Sequence, residues 1–179
     1  MPDEHSLSRR TFCAALGAAI LAPQAVLAAT QAPPRIIGLH NIHTGENLDF
    51  PSRPGSRQAA RNVAALNRFF RCHHTGEVAD IDPAAVEVLC EVHRTLGTRA
   101  RIRVISGYRS PTYNDLLRRL GRKVAKQSLH TQGLAIDFAI PGTPNARIAQ
   151  AARSLGAGGV GIYRDFVHID TGRVRFWRG

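Results

Sequence analysis

Two segments carry side chains suited to holding a metal ion. The first is Ser128-Leu129-His130-Thr131-Gln132-Gly133-Leu134-Ala135-Ile136-Asp137. Read as a turn followed by a strand, its alternation places Gly133, Ala135 and Asp137 on one face. Asp137 supplies a carboxylate there, the two small residues leave room beside it, and His130 in the turn leans over the same space. The second segment is Phe166-Val167-His168-Ile169-Asp170. As a strand it puts His168 and Asp170 on one face and Val167 and Ile169 on the other. Zinc accepts imidazole nitrogen and carboxylate oxygen at about 2.0–2.2 Å, and three protein ligands with a position left for water mark a catalytic ion. A structural ion would add a fourth ligand, often Cys, but Cys72 and Cys90 lie far from both segments and form no CxxC. Spacing alone leaves a plainer reading open, in which these histidines only satisfy hydrogen bonds.

The rest of the chain supplies the elements that must position these groups. Residues 35–41 read as a first strand, with Ile36, Ile37 and Leu39 giving bulk, and Leu48 to Phe50 as its hairpin partner across the His43–Asn47 turn. Ala59, Val63, Leu66 and Phe69-Phe70 recur at helical spacing over 56–72. Asp82-Pro83 caps and starts a second helix that Gly97 ends. A short strand over 102–105, a helix over 111–120, a strand over 133–140, a helix over 144–155 and strands over 160–163 and 166–170 follow. The mixed order of helices and short strands implies an α+β fold, expected as a small antiparallel sheet with flanking helices. His40 and His43 read as structural, His73 and His74 as solvated loop residues, and His93 as an exposed helical residue.

The N-terminus reads as an address. Ser8-Arg9-Arg10-Thr11-Phe12 precedes an apolar, Ala-rich stretch from Cys13 to Leu27 that ends in small residues. Paired arginines ahead of a modest apolar run are a signal-peptide pattern of the twin-arginine (Tat) type. The stretch is too short and Ala-rich to span a membrane well, since spanning wants about 20 strongly apolar residues. The expected organisation is a signal peptide over 1–28, a linker over 29–34 and one domain over 35–179 that carries both candidate metal-binding segments, exported to the periplasm.

A mature chain of about 150 residues buries about 70% of its unfolded surface, enough for a core without disulfides. Hydrophobic residues make up 44% and charged residues 21%, which excludes disordered and collagen-like classes. Net charge is +11, and it stays there on cleavage because Arg9 and Arg10 leave together with Asp3 and Glu4. Such charge is either a solvated basic surface or an attraction to an anionic partner, and export argues against nucleic acid. Cys72 and Cys90 remain, either joined or as two buried thiols. No GxSxG elbow supports a serine hydrolase.

These motifs resemble the LAS metallopeptidases, which join lysostaphin-type, D-Ala-D-Ala and hedgehog-type domains. The likeness rests on Ser128, His130-x-x-Gly133-x-Ala135-x-Asp137 and the His168 strand. Arg35-Ile36-Ile37, His43-Thr44-Gly45-Glu46, Ile105-Ser106-Gly107-Tyr108-Arg109-Ser110, Gly158-Gly159-Val160-Gly161 and Phe166 to Gly172 resemble the Tat-exported murein endopeptidase K branch of that group.

The resemblance spans nearly the whole mature chain. It implies a hedgehog/D-Ala-D-Ala-peptidase-like fold and one zinc ion per chain on His130, Asp137 and His168. The implied reaction is hydrolysis of peptide cross-links in peptidoglycan, by an enzyme expected to act as a monomer. Arg109 matches an arginine near the scissile carbonyl, Ser128 orients a ligand or contacts substrate, and Tyr108 packs on substrate or in the core. One position departs from the group: many relatives carry a Glu three residues before the last ligand histidine as general base, and here it is Asp165. Asp165 has less reach, and strict alternation points it away from the His168 face. Asp170 is the other candidate base, or else a partner that holds a ligand histidine. A carboxypeptidase of the same fold and a non-catalytic peptidoglycan-binding module are the alternatives.

Overall fold

The computed structural model describes residues 36–51 and 57–179, with 57–62 by backbone alone. The expected signal peptide over 1–28, the linker over 29–34 and Arg35 lie outside the described residues.

Short apolar-rich runs form strands β1 (Ile36–Asn41), β2 (Asn47–Pro51), β3 (Ile102–Ser106), β4 (Ala135–Ala139), β5 (Gly159–Ile162), β6 (Val167–Asp170) and β7 (Arg175–Arg178). Helices are α1 (Arg57–Phe69), α2 (Pro83–Thr95), α3 (Pro111–Arg119) and α4 (Asn145–Ser154), with one 3-10 turn over Leu129–Gln132. The caps explain two of the helix starts. Asp82 accepts from the Ala84 N–H at 2.9 Å with Pro83 in the first turn, and Ser110 accepts from the Tyr113 N–H at 3.2 Å ahead of Pro111.

The strands form one seven-stranded sheet in the order β2-β1-β3-β4-β6-β5-β7. The fold is α+β as the sequence implies, but the sheet is mixed rather than antiparallel throughout. β1 runs parallel to β3, because the two helices between β2 and β3 give the chain length to return in the same direction. β7 runs parallel to β5, since β6 is already paired on both edges and the returning chain takes the next free one.

The sheet has an apolar and a polar face. Ile136 and Phe138 of β4, Val167 and Ile169 of β6 and Val160 of β5 are buried, and α2 and α4 pack on this part of the sheet with Leu89, Val92, Ile148 and Ala152 buried in the same core. The opposite face of β4 and β6 carries Asp137, His168 and Asp170, so alternation along these strands divides core from chemistry.

Three details differ from the sequence reading. Gly133 does not continue β4; it ends the 3-10 turn at φ 71°, and a Cβ there would lie 2.1 Å from the Asp80 carbonyl oxygen. Its small size serves backbone packing rather than space at the metal. His93 is buried, with Nε2 bonded to the Ala100 carbonyl at 2.9 Å. His73 is half-buried and stacks on His43 with ring centroids 3.9 Å apart, while His74 is exposed in the loop as expected and stacks on Tyr113 at 4.4 Å. Cys72 and Cys90 are separate buried thiols.

Candidate metal centre

Strand register brings two of the three candidate ligands together. Asp137 on β4 sits directly opposite His168 on β6, and that row continues through Gly161 on β5 to Trp177 on β7. His130 comes from the 3-10 turn just before β4 and is buried beside them. His168 Nδ1 lies 2.8 Å from Asp137 Oδ1, His130 Nε2 lies 3.2 Å from Asp137 Oδ2, and the two histidine nitrogens are 3.3 Å apart. Ligand atoms arranged tetrahedrally about 2.0–2.1 Å from zinc sit roughly 3.3 Å from one another, so one nitrogen from each histidine and the Asp137 carboxylate are close enough together to share such an ion.

The far side of each imidazole fixes which nitrogen faces the centre. His130 Nδ1–H donates to the Gly107 carbonyl at 2.8 Å, leaving Nε2 as the inward atom. His168 Nε2–H donates to Asp170 Oδ2 at 2.9 Å, leaving Nδ1 inward.

Asp170 is enclosed. Its Oδ1 accepts from the Gly159 N–H at 2.8 Å, the Gly172 N–H at 2.9 Å and Arg175 Nη1 at 3.1 Å, and its Oδ2 also accepts from Arg175 Nη2 at 2.7 Å. With His168 this makes five donors on a carboxylate whose side chain is 0% exposed. Ala135 lies opposite Asp170 and adds only a methyl group to this row.

Electrostatics follow from the packing. Burial alone would raise the Asp137 carboxyl, but the charges and hydrogen bonds of His130 and His168 outweigh it and hold the group well below the usual carboxylate range. Burial would lower His168, yet hydrogen bonds to Asp137 and Asp170 push it up to about 9. Asp170 is held low against its burial by His168, the Gly159 amide and Arg175. Both carboxylates therefore stay ionised, and their charge favours the protonated form of His168 between them.

The candidate ligands open onto a cleft of about 220 Å³. Arg109, Lys123 and Ser128 line it from the loops around α3, and Tyr163, Phe166 and Trp177 line it from β5 to β7. Arg109 has an 11% exposed side chain, with Nη2 3.9 Å from Asp137 Oδ2 and Nη1 3.4 Å from Asn114 Oδ1. Its backbone N–H donates to the His130 carbonyl at 3.0 Å, tying this loop to the ligand turn. Ser128 is buried at the cleft, and its carbonyl accepts from the Thr131 hydroxyl at 2.7 Å. Tyr108 packs partly buried against the hydrophobic core. Asp165 is exposed on the β5–β6 turn, between the cleft-lining residues Tyr163 and Phe166.

Sequence reasoning missed the aromatic side of the cleft. Tyr163 stacks on Phe166 with centroids 4.4 Å apart, and Trp177 Nε1–H donates to the Tyr163 hydroxyl at 3.0 Å. The Trp177 indole lies over Gly161 and reaches within 5.2 Å of the His168 ring. The available signal was Gly159 and Gly161, two glycines alternating along one strand, which permit close approach from a neighbouring strand.

Comparison with known proteins agrees with this geometry. A family profile described as "Peptidoglycan L,D-endopeptidase MepK" matches residues 29–177. The peptidoglycan L,D-endopeptidase MepK of Escherichia coli (strain K12) is 42% identical, over 98% of this chain and 100% of its own length. The Shigella flexneri protein of the same name matches with the same identity and coverage. With the family profile covering 29–177 and full-length relatives at this identity, the chain belongs to the peptidoglycan L,D-endopeptidase MepK family.

Proposed function

We propose that this protein hydrolyses peptide cross-links of peptidoglycan, with one zinc ion held by His130, Asp137 and His168. The observation that carries the reading is the convergence of three buried donor atoms, at spacings that suit a tetrahedral ion, on a cleft lined by Arg109. When bound, zinc supplies Lewis-acid chemistry: it activates water near neutral pH and polarises the peptide carbonyl.

The chain's own residues divide the remaining work. Arg109 stabilises negative charge developing on the carbonyl oxygen, because its guanidinium lines the cleft and is held beside Asp137. Asp170 orients His168 and fixes its tautomer, since its own lone pairs are taken by five donors. That leaves Asp165 as the general base. It is exposed on the β5–β6 turn between the cleft-lining residues Tyr163 and Phe166, three residues before His168, and in this reading takes the proton of the attacking water and hands it to the leaving amine. Ser128 and the aromatic side of the cleft hold the peptide. The site faces an exported polymer, in keeping with a twin-arginine leader over 1–28 and a periplasmic, monomeric enzyme. No helix among the described residues is long and apolar enough to cross a membrane.

Two substitutions test the division of roles. Asp165→Asn is expected to lower kcat on cross-linked muropeptides by about 10²–10⁴-fold with zinc affinity near that of the wild type. Asp170→Asn is expected to weaken zinc binding by about 10–100-fold. Full turnover by Asp165→Asn would remove it as the base.

A further inference from the structure

We infer that Arg175 is a positioning residue for the metal centre, acting across the bare backbone of Gly159 to fix Asp170 and, through it, His168. The inference rests on the reading of His130, Asp137 and His168 as zinc ligands. Arg175 stands on the edge strand β7, and β5 lies between that strand and β6. Gly159 is paired with Arg175, and its amide donates to Asp170. A Cβ at position 159 would lie 2.2 Å from Asp170 Oδ2 and 2.7 Å from Arg175 Nη1, so only glycine leaves the path between them open.

Through that gap the guanidinium meets both carboxylate oxygens, at 2.7 Å and 3.1 Å. This two-point contact fixes the plane of the carboxylate as well as its place. Oδ2 is the oxygen that accepts from His168 Nε2–H, so its direction sets the rotation of the ring and the aim of Nδ1. The backbone amides of Gly159 and Gly172 hold only Oδ1. Arg175 is therefore the one group besides His168 that holds Oδ2 among the described contacts. Its side chain is 35% exposed and that of Asp170 0% exposed, so the charge reaches into the protein from the cleft side.

The test is zinc affinity of the full chain, measured by competition with a chromogenic chelator, together with the melting temperature of the zinc-free protein. Arg175→Met is expected to weaken zinc binding by up to about 10–100-fold, the range for loss of Asp170, the ligand partner through which it acts. Arg175→Lys keeps the charge and loses the two-point contact, so it is expected to restore only part of the affinity. In an Asp170→Asn background, Arg175→Met is expected to add less than about twofold, because the two residues act as one unit. Cobalt absorption bands shifted in Arg175→Met, with the zinc-free melting temperature of Arg175→Lys close to wild type, would support positioning over a general structural role. Wild-type affinity in Arg175→Met, full restoration by Arg175→Lys, or an undiminished effect in the Asp170→Asn background would each overturn the inference. A wild-type chain that fails to bind zinc would overturn the metal-centre reading itself.

Discussion

Replacing Gly161 by Ala pushes a methyl group into the indole that walls the cleft. The added Cβ would lie 2.5 Å from Trp177 Cε2, 2.6 Å from Cζ2 and 2.7 Å from Nε1. Favourable contacts sit at about 3.5–4.0 Å, so the ring must retreat by about 1 Å. Overpacking of this kind costs about 1–3 kcal/mol. Retreat also strains the 3.0 Å bond from Trp177 to the Tyr163 hydroxyl, a contact worth about 1 kcal/mol. For a chain of this size each kcal/mol lowers Tm by about 2–4 °C. Trp177 is the single tryptophan of the sequence, so its fluorescence reads the wall directly. The expected result is a red-shifted emission, a Tm lower by about 3–10 °C and a higher KM on cross-linked muropeptides. Zinc affinity should stay close to wild type, because the ligands are anchored by β4, β6 and the 3-10 turn. An unchanged emission spectrum with an unchanged Tm would refute the packing argument.

Two further outcomes follow from the geometry. Arg109→Lys should lower kcat by about 10²–10³-fold, the loss expected for one stabiliser of the developing oxyanion, with a much smaller change in zinc affinity; a selective rise in KM would instead assign Arg109 to substrate binding. Burial and the nearby charges of His43, His74 and Arg109 push His73 down to about 4, so between about pH 6.5 and 4 the unfolded chain binds the extra proton. The stability from neutral His73 is thus complete above about pH 6.5 and lost as pH falls toward 4, and His73→Gln should flatten the fall in Tm across that window; parallel curves for the two proteins would contradict it.

The meeting of Asp137 with His168 was legible because alternation is a strong rule. Asp137 and His168 each sit two residues from another small or polar residue on the same strand face, and the register then makes them direct neighbours. The helix starts at Pro83 and Pro111 were legible because the cap chemistry is local. β7 was not. Arg175-Phe176-Trp177-Arg178 is short and partly exposed, and in sequence it merges with a basic tail that reads as solvated charge.

Its partner β5 has glycine at two of four positions, so neither strand shows the apolar pattern that marks a core strand. The parallel pairing that joins them depends on which edges are already filled, a property of the whole sheet. The surroundings of Asp170 were equally illegible, because its enclosure comes from Gly159, Gly172 and Arg175 on neighbouring segments. Ring stacking likewise gathers His43, His73, His74 and Tyr113 from three separate segments that no local pattern connects.

The most direct test of the central claim is digestion of purified cross-linked muropeptide dimers by this protein, with chelator and then with added zinc, read by mass spectrometry. Dimers are expected to become monomers, cleavage to stop with chelator and to return with zinc, and His168→Ala to remain inactive throughout. Loss of only a terminal residue from each stem would make the enzyme a carboxypeptidase. Dimers left intact by a zinc-loaded protein that binds the wall would contradict catalysis altogether.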